Sequence, residues 1–158
     1  MRAIVQDQYG TSDQLALTEV PDPTPASGEV LVRVAAAGVD RGTWHVMTGL
    51  PLLARLGLGL RRPKDRIPGR DVAGTIIALG DGVTEHAIGD AVYGTARGSF
   101  AELAVLPLTR LAPCPSSITV EEAAAVPVSG LTALQALRTA GVGRGERGLA
   151  GGASGGVG

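Results

Sequence analysis

The sequence predicts a mainly β fold with its helices gathered at the C-terminal end, an α+β chain. Three observations carry that expectation. Through the first two-thirds, short apolar and β-branched runs are broken repeatedly by Gly and Pro. At Thr119 the pattern changes to alanine- and leucine-rich stretches of helical composition. Glycine then dominates the last stretch, which ends on GASGGVG, Gly152 to Gly158. A chain of 158 residues fits one ordinary domain, or one domain and the beginning of another.

In chain order, RAIVQ and LALTEV read as strands split by YGTSDQ, and PDPTPASG is a proline-rich connection. EVLVRVAAAGV is a strong strand, β-branched on alternate residues. LPLLARLGLGLRRPKDRIP then interrupts the β region as an inserted helix or an excursion. DVAGTIIALG, a turn at DGV, GDAVYG and SFAELAVLP complete a set whose frequent turns indicate a barrel or a sandwich. TVEE has capping-box spacing, with Thr119 capping a helix and Glu122 reaching back. AAAVPVSGLTALQALRTAG continues as helix, split by Pro127 and ended by Gly141 or Gly143. ERGLAGGASGGVG is expected to be a strand entering a glycine turn. Gly148, Ala150 and Gly151, however, stand where a buried parallel strand favours Val or Ile. The expected divisions are therefore a β-rich unit over 1–118, connecting helices over 119–146, and a strand with its glycine turn over 147–158.

Composition removes several classes of function. Apolar residues make up 44% and charged residues 18%, a globular balance, and the net charge is −1 with no long run of one sign. RLGLGLRR is locally basic but carries no aromatic residue to stack on bases, so neither a nucleic acid nor a membrane is expected as partner. The single cysteine, Cys114, can form neither an internal disulfide nor a cysteine-rich zinc site, and reads as an inert strand-end residue. The N-terminus lacks a signal-peptide stretch and no run is long enough to span a bilayer, so the expected location is cytoplasmic.

Six segments occur in a familiar order: AAAGVDRGTWHVMTG, PGRDVAGTIIALGDGV, IGDAVYG, SFAELAVLP, VPVSGLTALQAL and GASGGVG. Together they resemble the zinc-free, quinone-oxidoreductase-like branch of the medium-chain dehydrogenase/reductase superfamily. The resemblance covers essentially the whole chain. It implies a GroES-like β-barrel catalytic domain followed by the start of a Rossmann unit, cut off after its first strand and glycine turn. In zinc-dependent relatives a cysteine, a histidine and a second cysteine bind the catalytic metal. Motif against motif, these fall on Asp40, Arg70 and Val128. Valine offers no donor and arginine carries a permanent positive charge, so no metal site is expected and no zinc. The cysteine-rich lobe that holds a structural zinc is replaced by TARGSF. With zinc gone, Asp40 and Arg70 are expected to pair in its place.

The resemblance also implies roles for other residues. Arg41 falls where relatives place a basic residue facing the cofactor phosphates. His45 matches the histidine of a proton relay whose hydroxyl position is here Gly42, and with Asp40 and Arg70 it makes up the candidate catalytic set. Thr132 matches a threonine near the nicotinamide. Ala153, Gly155 and Gly158 take the small-residue positions of the dinucleotide turn, with Gly156 between them. Trp44 and Met47 are expected to line the substrate cleft. The implied activity is hydride transfer from NADPH, or NADH, to a small carbonyl, enone or quinone. The alternative is a non-catalytic GroES-like module that binds a ligand or partner and lacks a complete cofactor site. On either reading the strand after Arg147 lacks neighbours. It is expected either to project from the barrel or to be held by another molecule, a second copy of the chain included.

Overall fold

The computed structural model describes residues 1–149, 151–152 and 154–157. Its strands are β1 (Arg2–Gln6), β2 (Leu15–Glu19), β3 (Glu29–Ala37), β4 (Asp71–Leu79), β5 (Ala91–Thr95), β6 (Leu103–Pro107) and β7 (Leu111–Pro113). Its helices are α1 (Arg41–Thr48), α2 (Arg55–Leu58), α3 (Val120–Ala125) and α4 (Pro127–Thr139). Every strand run expected from alternation and Gly/Pro punctuation up to Pro107 forms, with small differences at the ends.

β3 to β7 make one antiparallel sheet in the order β6-β3-β4-β5-β7, and β1 pairs with β2 separately. The β3/β4 register shifts twice, between Leu31 and Val32 and between Val34 and Ala36. Such irregularities bend a sheet and raise its twist, and here the sheet curls into a half-barrel. The β1 strand docks against the segment leading into β6. Ile4 N–H donates to the Phe100 carbonyl at 2.8 Å, Glu102 N–H donates to the Arg2 carbonyl at 3.0 Å, and Ala3 bridges Ala101.

The sheet is apolar on both faces because it packs on both. Val30, Val32, Val72, Ile76, Val92, Ala104 and Leu106 fill the inside of the curl, all essentially without solvent contact. Ala73 faces the other way, against Ala123 and Ala124 of α3, with Cys114 and Ile118 beside them. Alanines on both sides let α3 lie close to β3 and β4. Gly38, just after β3, marks how close. A Cβ there would press into the Ala124 carbonyl and stand 2.9 Å from Asp71 Cβ.

The helical end forms as its residue types dictate. Thr119 Oγ1 accepts the Glu122 N–H at 3.2 Å, and Glu122 Oε2 accepts the Thr119 N–H at 2.8 Å, completing the capping box. Pro127 lies at the break, as the first residue of α4. α4 stops at Thr139, and Gly141 follows with φ 67°, the left-handed conformation glycine tolerates. The excursion between α1 and β4 contains a short 3-10 turn, Leu52–Ala54, and the single helical turn of α2. It is tied down by Tyr9, whose hydroxyl donates to the Gly59 carbonyl at 2.6 Å, and by Arg55, whose Nε donates to the Gly49 carbonyl at 3.0 Å.

The strand expected after Arg147 does not form among the described residues. Residues 144–149 are exposed, and the described residues from Gly151 onward run through turns and bends. A strand needs a neighbour for its backbone ladder, and no described strand lies beside this segment. Ala153 and Gly158, assigned to the dinucleotide turn, lie outside the described residues, as does Ala150.

Gly38→Ala is the sharpest packing test of this arrangement. Overfilling the α3–sheet contact is expected to cost about 1–3 kcal/mol, read as a lower urea midpoint with an unchanged denaturant slope.

Candidate functional site

The candidate site gathers where α1, the end of the excursion, the start of β4 and the start of α4 meet. α1 is a short helix fixed at both ends. At its N-terminus Asp40 is the cap: Oδ1 accepts the Thr43 N–H at 2.7 Å and the Thr43 hydroxyl at 2.6 Å. At its C-terminus Gly49 takes φ 65° and donates to the His45 carbonyl at 2.8 Å. Buried Gln6 adds a tether, its Nε2 donating to the Met47 carbonyl at 2.6 Å.

The expected Asp40–Arg70 ion pair is not formed. The four ion pairs within 4 Å among the described residues join other groups. The reason is local: the orphan N–H groups of the first turn of α1 lie within three residues of Asp40. Its carboxylate meets one of them, the Thr43 N–H, without bringing a distant side chain into register. Arg70 is left exposed, and it lines a cleft of about 490 Å³ together with Thr43 and Val46 of α1. Helical spacing explains which α1 residues reach that wall. Thr43 and Val46 are three apart and share a face, while Trp44 and Met47 lie on the adjoining one.

On that adjoining face the Arg41 guanidinium lies over the Trp44 ring, 4.2 Å from its centroid. Trp44 meets the His45 ring edge-on, with centroids 5.1 Å apart and planes at 74°. His45 Nδ1 is 2.6 Å from the Leu50 carbonyl. A carbonyl only accepts, so Nδ1 carries the proton and Nε2 is the free position of the neutral ring. Gly42, in the relay-hydroxyl position, offers no proton, but the adjacent Thr43 brings a hydroxyl to the cleft wall.

Asp71 is the residue that sequence reasoning missed. It is 2% exposed at the start of β4, and its Oδ1 accepts the Val128 N–H at 3.0 Å. Val128 is the second residue of α4, a helix whose own N-cap, Val126, provides no side-chain bond. Asp71 therefore caps α4 from across the fold. Burial is the main influence on its acidity and pushes its pKa from 3.8 up to about 6. The Val128 hydrogen bond and the Arg70 charge pull it down, and the Asp40 charge pushes it up. Its signal in the sequence was a lone acid opening an otherwise apolar strand, DVAGTIIAL.

Further along α4, the exposed Thr132 donates its hydroxyl to the Val128 carbonyl at 2.6 Å, one turn back. The glycine tail returns toward the same end of the helix: a Cβ on Gly156 would lie 3.4 Å from Ser129 Oγ. Gly155 and Gly156 are exposed there. Asp40, Arg70, Asp71 and Val128 thus converge, Arg41, Trp44 and His45 form a neighbouring exposed face, and the tail glycines stand by α4. Among the described residues no group of three or more His, Cys, Asp or Glu side chains is placed to hold a metal ion.

A family model described as the alcohol dehydrogenase GroES-like domain matches residues 26–116. The chain is 35% identical over 169 residues to the chloroplast envelope quinone oxidoreductase homolog of Arabidopsis thaliana, an alignment covering 100% of this chain and 50% of the relative. It is 36% identical over 163 residues to quinone oxidoreductase of Rattus norvegicus, covering 100% of this chain and 47% of that one. Among solved structures, the quinone oxidoreductase from Coxiella burnetii superposes with a TM-score of 0.79 at 31% identity, over 92% of this chain and 47% of that one. The Escherichia coli quinone oxidoreductase complexed with NADPH gives 0.74 at 26% identity, over 89% and 41%. The chain spans about half the length of the curated relatives it matches.

Asp71 supplies a pH test. A folded pKa raised from 3.8 to about 6 favours the protonated form in the native state. Its stabilising effect is full below about pH 4 and is lost as pH rises through about 6. Asp71→Asn keeps an acceptor for Val128 and cannot ionise. Its melting temperature relative to the wild type is expected to climb between those two pH values and then level off. Asp71→Ala also cannot ionise but leaves the Val128 N–H unsatisfied, and it is expected to sit about 1–3 kcal/mol below Asp71→Asn throughout.

Proposed function

The chain belongs to the alcohol dehydrogenase GroES-like domain family of the medium-chain dehydrogenases/reductases, and from that premise we propose that it is the catalytic-domain portion of a zinc-independent NAD(P)H-dependent oxidoreductase. The reaction class is reduction of an enone or a quinone. The observation that carries the reading is the state of the three metal-ligand positions. Asp40 is engaged as a helix cap, Arg70 presents a cation to the cleft, and Val128 contributes only a backbone N–H, already bonded to Asp71. That donor set does not fit zinc, and relatives it resembles are named quinone oxidoreductases or a homolog of one.

The residues fit the phosphate-bearing side of a dinucleotide. Arg41 is exposed and forms no ion pair among the described residues. Gly155 and Gly156 add exposed glycine backbone near the first turn of α4. When bound, a reduced nicotinamide supplies the hydride. The chain's own part is positional and electrostatic. Arg70 offers a fork of N–H donors to the oxygen on which negative charge grows as an enone or quinone accepts hydride. Thr43, whose hydroxyl donates to Asp40, forms part of the same cleft wall. His45 can take or give a proton at Nε2, and solvent reaches this open face. No nucleophile is required.

Steady-state NADPH oxidation with a quinone acceptor, run before and after exhaustive chelation and paired with elemental analysis, tests the proposal. Chelation is expected to leave the rate unchanged, with zinc far below one equivalent per chain. Stoichiometric zinc, or activity that vanishes with it, overturns the reading. Arg41→Ala is expected to raise the KM for NADPH about tenfold, the loss of one charge-assisted contact, while kcat changes little.

A further inference from the structure

Resting on the reductase reading, we propose that the cleft beside Arg70 selects a substrate that carries an anionic group, a carboxylate or a phosphate. Four cations line this one cleft of about 490 Å³: Lys64, Arg70, Arg97 and Arg110. They come from three separate segments of the chain, and the protein as a whole has a net charge of −1. Their convergence is a property of the fold rather than of composition. None of the four is in an ion pair among the described residues. One carboxylate, Asp65, shares the wall. The adjoining cavity, also lined by Arg97 and Arg110, holds Glu29, whose Oε2 accepts the Ala26 N–H at 3.0 Å.

Val46, Leu58 and Ile67 add apolar side chains to the same wall. A concave wall with apolar patches and an excess of one charge focuses its field on the cavity and suits a ligand with an apolar body and an anionic end. Arginine matches the planar oxygens of carboxylate and phosphate in forked hydrogen bonds. The backbone that presents Arg97 is held firmly. Gly98 has φ 81°, and a Cβ there would sit 2.9 Å from Ile67 Cβ. Gly69 has φ 92°, and a Cβ there would run into Ser99 and Phe100. With Arg70 near the reacting oxygen, Arg97, Arg110 and Lys64 remain for the anionic end.

The test uses acetylacrylate, an enone with a carboxylate, and its methyl ester, which lacks the charge. It compares the wild type with the double variant Arg97→Gln/Arg110→Gln. Both positions are exposed, and neither belongs to the machinery assigned above. The wild type is expected to show a KM about tenfold lower for the acid than for the ester. The double variant is expected to lose that preference while treating the ester as the wild type does. In parallel, inorganic phosphate is expected to raise the melting temperature above that in sodium chloride of equal ionic strength, and to do so only with both arginines present. Phosphate protection without an acid-over-ester preference identifies the anionic group as a phosphate. Equal KM values together with no phosphate protection overturn the inference while leaving the reductase reading intact. If no enone or quinone is reduced but arginine-dependent phosphate protection persists, the reductase reading fails and the anion-binding cleft stands.

Discussion

A buried carboxylate ties the C-terminal helix to the sheet. α4 begins at Pro127, which has no N–H, after Val126, which has no side-chain oxygen. The first donor that needs a partner is the Val128 N–H, and a helix start left unpaired in a half-buried setting is costly. Asp71 reaches it from the first residue of β4, across 57 residues of sequence. The absent side chain of Gly38 makes the room, since anything larger would meet both the end of α3 and Asp71 itself. The start of α4 is therefore tied to the sheet through one oxygen. Because that oxygen is buried, its acidity responds to whatever charge is nearby, and the nearby charges are Asp40 and Arg70. The structural joint and the candidate site share one electrostatic neighbourhood.

Asp40 shows how a local requirement displaces a long-range one. Opposite charges at two former ligand positions invite an ion pair, but an exposed pair adds little and must fix two side chains. A cap is already in place three residues away and satisfies backbone groups with no other partner. With its start capped and its end anchored to Gln6, α1 holds a fixed rotation. Thr43 and Val46 face the cleft, and Arg41 and Trp44 occupy the outer face.

Local features of the sequence were legible, and features that depend on distant partners were not. Strand positions followed from alternation between Gly and Pro breaks. The Thr119 capping box and the Pro127 break followed from spacing within a few residues, because each is decided by immediate neighbours. The GroES-like architecture was legible from the order of motifs. Asp71 was not, because an acid at the head of an apolar strand reads as a turn residue until its partner on α4 is known. The basic cleft was not, because Lys64, Arg70, Arg97 and Arg110 are scattered and only the excursion's return, the β5–β6 turn and the turn after β6 bring them together. The strand expected after Arg147 failed for the same kind of reason: strand formation is a property of a pair, and no described strand pairs with that segment.

The same division explains why the cleft stays positive in a protein that is slightly acidic as a whole. Two carboxylates of this neighbourhood are directed at backbone donors, Asp40 at the Thr43 N–H and Asp71 at the Val128 N–H. Burial raises the pKa of Asp71 from 3.8 to about 6, so its charge is reduced only in mildly acidic solution. Neither acid forms an ion pair with Arg70, so its charge faces the cavity. Helix capping and cleft electrostatics are thus one arrangement seen from two sides. Two of the acids that could offset the cleft's charge hold α1 and α4 in position instead, Asp65 alone shares the wall, and the cations left unpaired are what a ligand would meet.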